Sequence, residues 1–319
     1  MVGKYDIEVY NARVHYFLTI KRNITIIKGD SATGKSELIR LIADHEMNGA
    51  SSGITVKCDR PCTVLTPVDW EQRLITLYGY IVFIDETAGF LKSKRFAELV
   101  RGADSYFVIV TRDDLNELPY SVDEIYGLRN VTGTSDYKTY KRVYNETYKL
   151  YNLSFDHEVR PEHVITEDSN SGYQFFEKVY PGICEPAGGK SKIYDIIKEK
   201  DHALVIVDGA AFGCEMEKVM RYLSVSRKDC VIYAPESFEY LLLRSGIVQV
   251  PLDVLDRTYD YADSKDYLSW EEFYTAYLIQ ATQGGIYQYM KSKLRETYKT
   301  EGSVRRVVQI MPEEIKPDI

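Results

Sequence analysis

The stretch that most constrains this chain is GDSATGKS, residues 29–36, set between NITIIK and ELIRLIADHE. NITIIK is rich in β-branched residues, the composition of a strand. In ELIRLIADHE the apolar residues Leu38, Ile39, Leu41 and Ile42 recur at helical spacing. Strand, glycine loop and helix in that order make a phosphate cradle, and Gly29-x-x-x-x-Gly34-Lys35-Ser36 matches its pattern in full. The glycines let backbone N–H groups turn inward onto phosphate oxygens. The helix that opens at the loop turns its positive dipole end to the anion. Lys35 then reaches the β- and γ-phosphates, and the Ser36 hydroxyl ligates Mg²⁺. Gly29, Asp30, Ser31, Ala32, Thr33, Gly34, Lys35, Ser36 and Glu37 are the expected nucleotide contacts, with ATP and Mg²⁺ as the expected ligands.

Two further strands end in matching chemistry. YIVFIDE is a continuous apolar run closed by Asp85 and Glu86, the pattern of a parallel strand buried on both faces. An acid at such a strand end coordinates the magnesium, directly or through water. The adjacent Glu86 is placed to orient an attacking water. Without the glycine loop, the same residues would read as a strand ending in solvated acids. SYFVIVTR ends in Thr111 and Arg112. Arg112 reads equally as a group stabilising the transferred phosphoryl and as a surface arginine at a strand end.

With these residues in hand, the chain from about 5 to 130 resembles the core of an ABC-type ATPase. It looks closest to the ATPase part of overcoming-lysogenization-defect nucleases; GDSATGKS, VFIDE, VIVTR and the following VDEIYGL carry the likeness. The resemblance implies ATP hydrolysis with Lys35, Glu86 and Arg112 as the catalytic set. The chain departs from it in three places. The segment between Ser36 and Asp85 is too short for the helical insert that bears the family signature. No LSGGQ-like stretch occurs, and Arg112 stands where the family has its switch histidine.

Alternating strands and helices resume after residue 162. HVITED, GICEPA, ALVIVDGA and DCVIYA read as strands; SGYQFFEKVY, KSKIYDIIKEK, EMEKVMRYL and SFEYLLLRSG read as helices. Two of the strands lead into acids, Glu167 with Asp168 beside it, and Asp208. This order, with GGKSKI between, resembles a TOPRIM domain over about 163–250. The resemblance implies Glu167 and Asp208 as Mg²⁺ ligands, holding an ion that polarises a phosphodiester. It also implies nucleic acid, DNA or RNA, as the target, and a role in phage or mobile-element conflict. The second Asp of the family's pair is Ala210 here, and two carboxylates hold magnesium less firmly than three or four. Glu215, Glu217, Glu236 and Glu239 are candidates to make up the set. A TOPRIM-like fold that has lost nuclease chemistry and serves as a sensor or docking module is the alternative. GGKS at 188–191 lacks the first glycine of a second phosphate loop, though Lys190 and Ser191 could hold an anion at a helix start.

At 319 residues the expectation is two domains. The expected fold is α/β: a P-loop sheet over 1–130, a connector or small hairpin over 131–162, a TOPRIM-like domain over 163–255 and a helical extension over 256–319. Within the connector, Tyr137, Tyr140, Tyr144, Tyr148 and Tyr151 fit helical spacing, yet the Thr, Val and Tyr content favours strands. LSWEEFYTAYLIQAT and IYQYMKSKLRETYK are read as helical, VRRVVQIMPEEIKPDI as a loose tail. Lys291, Lys293, Arg295, Lys299, Arg305 and Arg306 form either a partner patch or a solvated face. The net charge of −8 argues against attraction to nucleic acid by overall charge. The five cysteines are scattered and form no CxxC pair, so free thiols are expected. No apolar run reaches membrane-spanning length and no signal-peptide core is present, which makes the expected setting cytoplasmic and excludes a membrane partner. A nucleotide-held scaffold, a homo-oligomer or a protein-docking module without turnover is the rival to the enzyme.

Overall fold

The computed structural model describes residues 1–29, 33–131 and 142–317. The chain is α/β, with one large mixed sheet and one smaller parallel sheet, each with helices. It divides into two compact units, Met1–Tyr151 with Tyr259–Ser269, and Asn152–Thr258 with Trp270–Ile319.

The first unit contains β1 (Tyr5–Tyr10), β2 (Val14–Ile20), β3 (Ile24–Ile27), α1 (Lys35–Asn48), β4 (Thr55–Lys57), β5 (Cys62–Val64), α2 (Trp70–Leu74), β6 (Ile81–Ile84), α3 (Lys94–Val100), β7 (Tyr106–Val110), β8 (Ile125–Val131) and β9 (Val143–Lys149). The sheet runs β4-β1-β2-β9-β8-β3-β7-β6-β5. Its middle, β8-β3-β7-β6-β5, is wholly parallel. There the apolar runs of β3, β6 and β7 are buried along their whole length, as strands covered on both faces must be. The outer strands β1 and β2 pair antiparallel through a turn in which the Asn11 side chain accepts from the Arg13 and Val14 amides at 2.8 and 3.0 Å. They alternate buried and half-exposed residues, with one face on the core. Helix α1 lays Leu38, Ile39, Leu41 and Ile42 onto that core, beside Ile27, Phe83 and Val108.

The second unit contains β10 (His163–Thr166), α4 (Ser171–Val179), β11 (Cys184–Pro186), α5 (Lys190–Glu199), β12 (Ala203–Ile206), α6 (Gly213–Val225), β13 (Cys230–Tyr233), α7 (Phe238–Arg244), α8 (Leu252–Asp256), α9 (Trp270–Thr282) and α10 (Glu301–Ile310). Its sheet, β11-β10-β12-β13, is parallel throughout. Phe175, Phe176 and Phe238 pack edge-on and tilted at 5.3–6.1 Å between ring centres under α4 and α7.

Four sequence expectations are corrected. Residues 143–149, read as part of a connector or small hairpin between domains, are strand β9, antiparallel to β8 but built into the large sheet between β2 and β8. This settles Tyr144 and Tyr148 as strand residues, while Tyr137 and Tyr140 lie outside the described residues. The helix expected over IYQYMKSKLRETYK is an irregular strap with one 3₁₀ turn at Glu296–Lys299. Gly284, at φ +71°, turns the chain out of α9, and the buried Tyr289, Leu294 and Tyr298 do not fall on one helical face. The tail read as loose holds α10, whose Val304, Val307 and Val308 are buried. Residues 256–319 are not one extension, since Tyr259–Ser269 return to the first unit, where Ser264 N–H donates to Met1 O at 3.0 Å.

Candidate functional site

Two clusters of the expected residues assemble, one in each unit. In the first, strand β3 runs into the glycine loop and α1 opens at Lys35. Gly29 and Gly34 have φ of +130° and +89°, a region that L side chains rarely adopt. A Cβ on Gly34 would also stand 2.7 Å from the Tyr16 hydroxyl. That hydroxyl donates to Gly34 O at 2.9 Å and ties β2 to the loop. Burial, with help from Glu37, pushes the Tyr16 phenol up to about 12, so it stays a donor. Among the described residues no side chain caps α1, and the amides of its first turn have no acceptor within the helix. Lys35 is buried, its ammonium donating to Gly29 O at 2.7 Å and Thr33 Oγ1 at 2.9 Å. Ser36 is exposed at the helix start. Glu37 pairs with Arg40 at 2.7 Å, and this bond holds its carboxyl below the ordinary range. Asp30, Ser31 and Ala32 lie outside the described residues.

Register brings the other strand ends level with the loop. Ile27 pairs with Val110, and Ile84 with Ile109. Asp85 and Glu86 therefore leave β6 alongside Val110 and Thr111, which in turn flank Ile27 and Lys28. Within the parallel part of the sheet, β5, β6 and β7, which follow β3 in the chain, lie on one side of it, and β8, which follows β7, lies on the other. Ligands of open α/β sheets bind at the carboxyl ends of strands where the order reverses in this way. Asp85 Oδ1 is buried and, among the described residues, has no hydrogen-bond partner. Glu86 is held by Arg112, Nε to Oε2 at 3.2 Å. Sequence reasoning did not find Tyr16, nor Lys28, which is buried and pairs with Asp114 at 2.6 Å. Tyr16 reads in the sequence only as an inward-facing strand residue.

In the second unit, parallel pairing of β10 and β12 sets Glu167 beside Asp208, and the Asp208 amide donates to Glu167 Oε2 at 3.1 Å. The Phe238 amide donates to Asp208 Oδ1 at 3.1 Å. Gly209 is needed for a close approach: a Cβ there would lie 2.6 Å from Ala234 O. The cavity at these strand ends measures about 20 Å³ and is lined by Glu167, Asp168, Asp208, Glu239 and Lys291, among others. Of the four additional acids considered, Glu239 lines this cavity. It is fully buried, with Oε1 accepting from Tyr289 Oη at 2.6 Å and Oε2 without a partner. Tyr289 is in turn bonded to Ser171 Oγ at 2.6 Å. Glu271, at the start of α9, meets Lys291 Nζ at 2.6 Å. The lysine of GGKS turns to Ala211 O at 3.1 Å. Glu271, Tyr289 and the pocket role of Lys291 had no sequence signal, because they come from a segment read as a helical tail.

The charges crowd. Burial, then Glu271, pushes the Glu167 carboxyl up to about 7, against the Asp208 amide. Burial pushes Asp208 well above the carboxylate range, with Glu271, Glu167 and Glu239 adding to it. Burial also raises Asp168. Burial alone would lower the Lys291 ammonium, but Glu271 and Glu239 outweigh it and raise it. Among the described residues no three His, Cys, Asp or Glu side chains are placed to hold one metal ion together. The expected magnesium pair of Glu167 and Asp208 is thus side by side but without the third protein ligand that would complete a set.

No protein-family model matches the chain, and no curated protein and no solved structure matches it. Among the described residues no helix is long and apolar enough to cross a membrane. All five cysteines are free.

Proposed function

We propose that the first unit is a P-loop ATPase domain that binds ATP with Mg²⁺ and hydrolyses it. One observation carries the reading. The glycine loop and the start of α1, which no described side chain caps, stand level with a buried Asp85 oxygen that has no hydrogen-bond partner among the described residues. A buried acceptor left unpaired is costly, and a cation at the strand end removes that cost. The residues present fit the pair of ligands. Lys35 has an ammonium that can exchange its loop carbonyl for phosphate oxygens. Ser36 and Asp85 supply oxygens for the magnesium, which when bound would neutralise charge on the phosphates. Glu86 is the group to orient water, and Arg112, now on Glu86, the group to turn to the γ-phosphate. The second unit, in this reading, is a TOPRIM-like domain that recognises nucleic acid.

The test is ATP turnover with and without double-stranded DNA. Lys35→Ala abolishes turnover and binding. Glu86→Gln keeps ATP binding and loses turnover by about 10²-fold or more, the scale of a positioned acid–base group. Stimulation by DNA supports the target class. If wild type binds ATP and shows no turnover under any of these conditions, the nucleotide-held scaffold replaces the enzyme.

A further inference from the structure

The carboxylates of the second unit are not left without a cation, because the chain brings its own. Lys291 sits on the strap that follows α9, and the strap is fastened to α4 at several points. Ser171 N–H donates to Lys291 O at 3.0 Å, Gln174 Nε2 donates to Ser292 O at 3.2 Å, and Leu294 N–H donates to Gln174 Oε1 at 2.9 Å. These bonds hold the backbone of residue 291 at the mouth of the cavity, and its side chain lines that cavity together with Glu167, Asp168, Asp208 and Glu239. Glu271 closes on the ammonium from α9. The cavity has room for about one water-sized occupant. The Lys291 side chain is 37% exposed, so it can leave along the solvent side without unpacking the core. Glu239 lines the same cavity, and its buried Oε2 has no hydrogen-bond partner among the described residues, the lysine included.

We propose that the ammonium of Lys291 is the resident cation of this pocket, a tethered stand-in for a metal ion, and that a divalent cation enters only when the lysine is removed or swung out. One ammonium offsets one of the charges that Glu167, Asp168, Asp208, Glu239 and Glu271 can carry. A divalent ion offsets two of these charges. Lysine and metal therefore compete for the same cluster of carboxylates. The inference rests on the pocket alone and stands or falls without the nucleotide reading of the first unit.

The experiment uses the full chain with Lys291→Met, which is unbranched, one atom shorter and without charge. Both wild type and variant carry Asp85→Asn, so that the first unit's own cation oxygen does not contribute. Mn²⁺ binding is followed by the loss of the free Mn²⁺ paramagnetic resonance signal, and melting is followed in EDTA and in Mn²⁺. Lys291→Met is expected to bind Mn²⁺ at least about tenfold more tightly than wild type, the scale of one unit charge removed from nearby. It should melt lower than wild type in EDTA and recover in Mn²⁺, whereas wild type melts alike in both. A variant that folds only when Mn²⁺ is present supports the proposal in the same way. Lys291→Arg keeps the charge and should behave as wild type. Equal Mn²⁺ affinity in wild type and Lys291→Met overturns the proposal. So does a Lys291→Met chain that Mn²⁺ fails to restore, or a Lys291→Arg chain that gains the metal.

Discussion

Gly34 shows how much one position carries. Its φ of +89° and the Tyr16 hydroxyl 2.7 Å from where a Cβ would stand both exclude a side chain. The glycine was legible from the sequence, since the loop pattern requires it at that offset. Tyr16 was not, because a tyrosine alternating with Leu18 and Ile20 in β2 announces core and nothing more. Its hydroxyl is what fixes the loop to the sheet. Tyr16→Phe removes that bond while leaving Gly34 O its helical partner, the Leu38 amide at 3.0 Å. The expected cost is therefore only about 1 kcal/mol, since no acceptor is orphaned. Denaturant titration measures it. A loss of several kcal/mol would mean that Tyr16 organises more than this one contact.

At the scale of elements, legibility followed burial. β6 and β7 are short unbroken apolar runs and β3 departs from one only at Thr25, the composition of strands covered on both faces. Helices α4, α5 and α6 of the second unit were legible for the opposite reason, since each shows one apolar stripe. The strap from 283 to 299 was not. Its three tyrosines are placed by tertiary contacts. Tyr287 and Tyr289 pack against Tyr298 at 5.4 and 6.2 Å, and Tyr289 reaches Glu239. Spacing along a chain cannot distinguish a helical stripe from side chains gathered by tertiary contact. The turn after β12 gives a sharper test of element packing. A methyl on Gly209 would meet backbone, Ala234 O at 2.6 Å and Pro235 O at 2.8 Å, not a movable side chain. Gly209→Ala is expected to cost about 1–3 kcal/mol, the usual scale of overpacking, and to displace Asp208 from Glu167. Equal melting temperatures for Gly209→Ala and wild type would rule that out.

Over the whole molecule, the division of the chain was only half legible. Two domains followed from length, but nothing in composition marks Tyr259–Ser269 as a return to the first unit, because the segment is anchored by backbone bonds and by the buried amino terminus. The charge of −8 was legible; its concentration in one pocket was not, since Glu167, Asp208, Glu239 and Glu271 are far apart in sequence. That concentration has a consequence for stability. Glu167, Asp168 and Asp208 all have carboxyl groups raised above their ordinary values. A raised acid binds more protons folded than unfolded, so its contribution to stability falls as pH rises. For Glu167 the fall begins near its ordinary value of 4.5 and runs through about 7. Glu167→Gln keeps an oxygen for the Asp208 amide and cannot ionise. It should match wild type in stability near pH 5 and exceed it at pH 8, by something on the order of 2 kcal/mol. Denaturant unfolding across that range decides the matter. A Glu167→Gln chain no more stable than wild type at pH 8 would show that Lys291 and solvent already balance the pocket's charge, and that Glu167 ionises there without penalty.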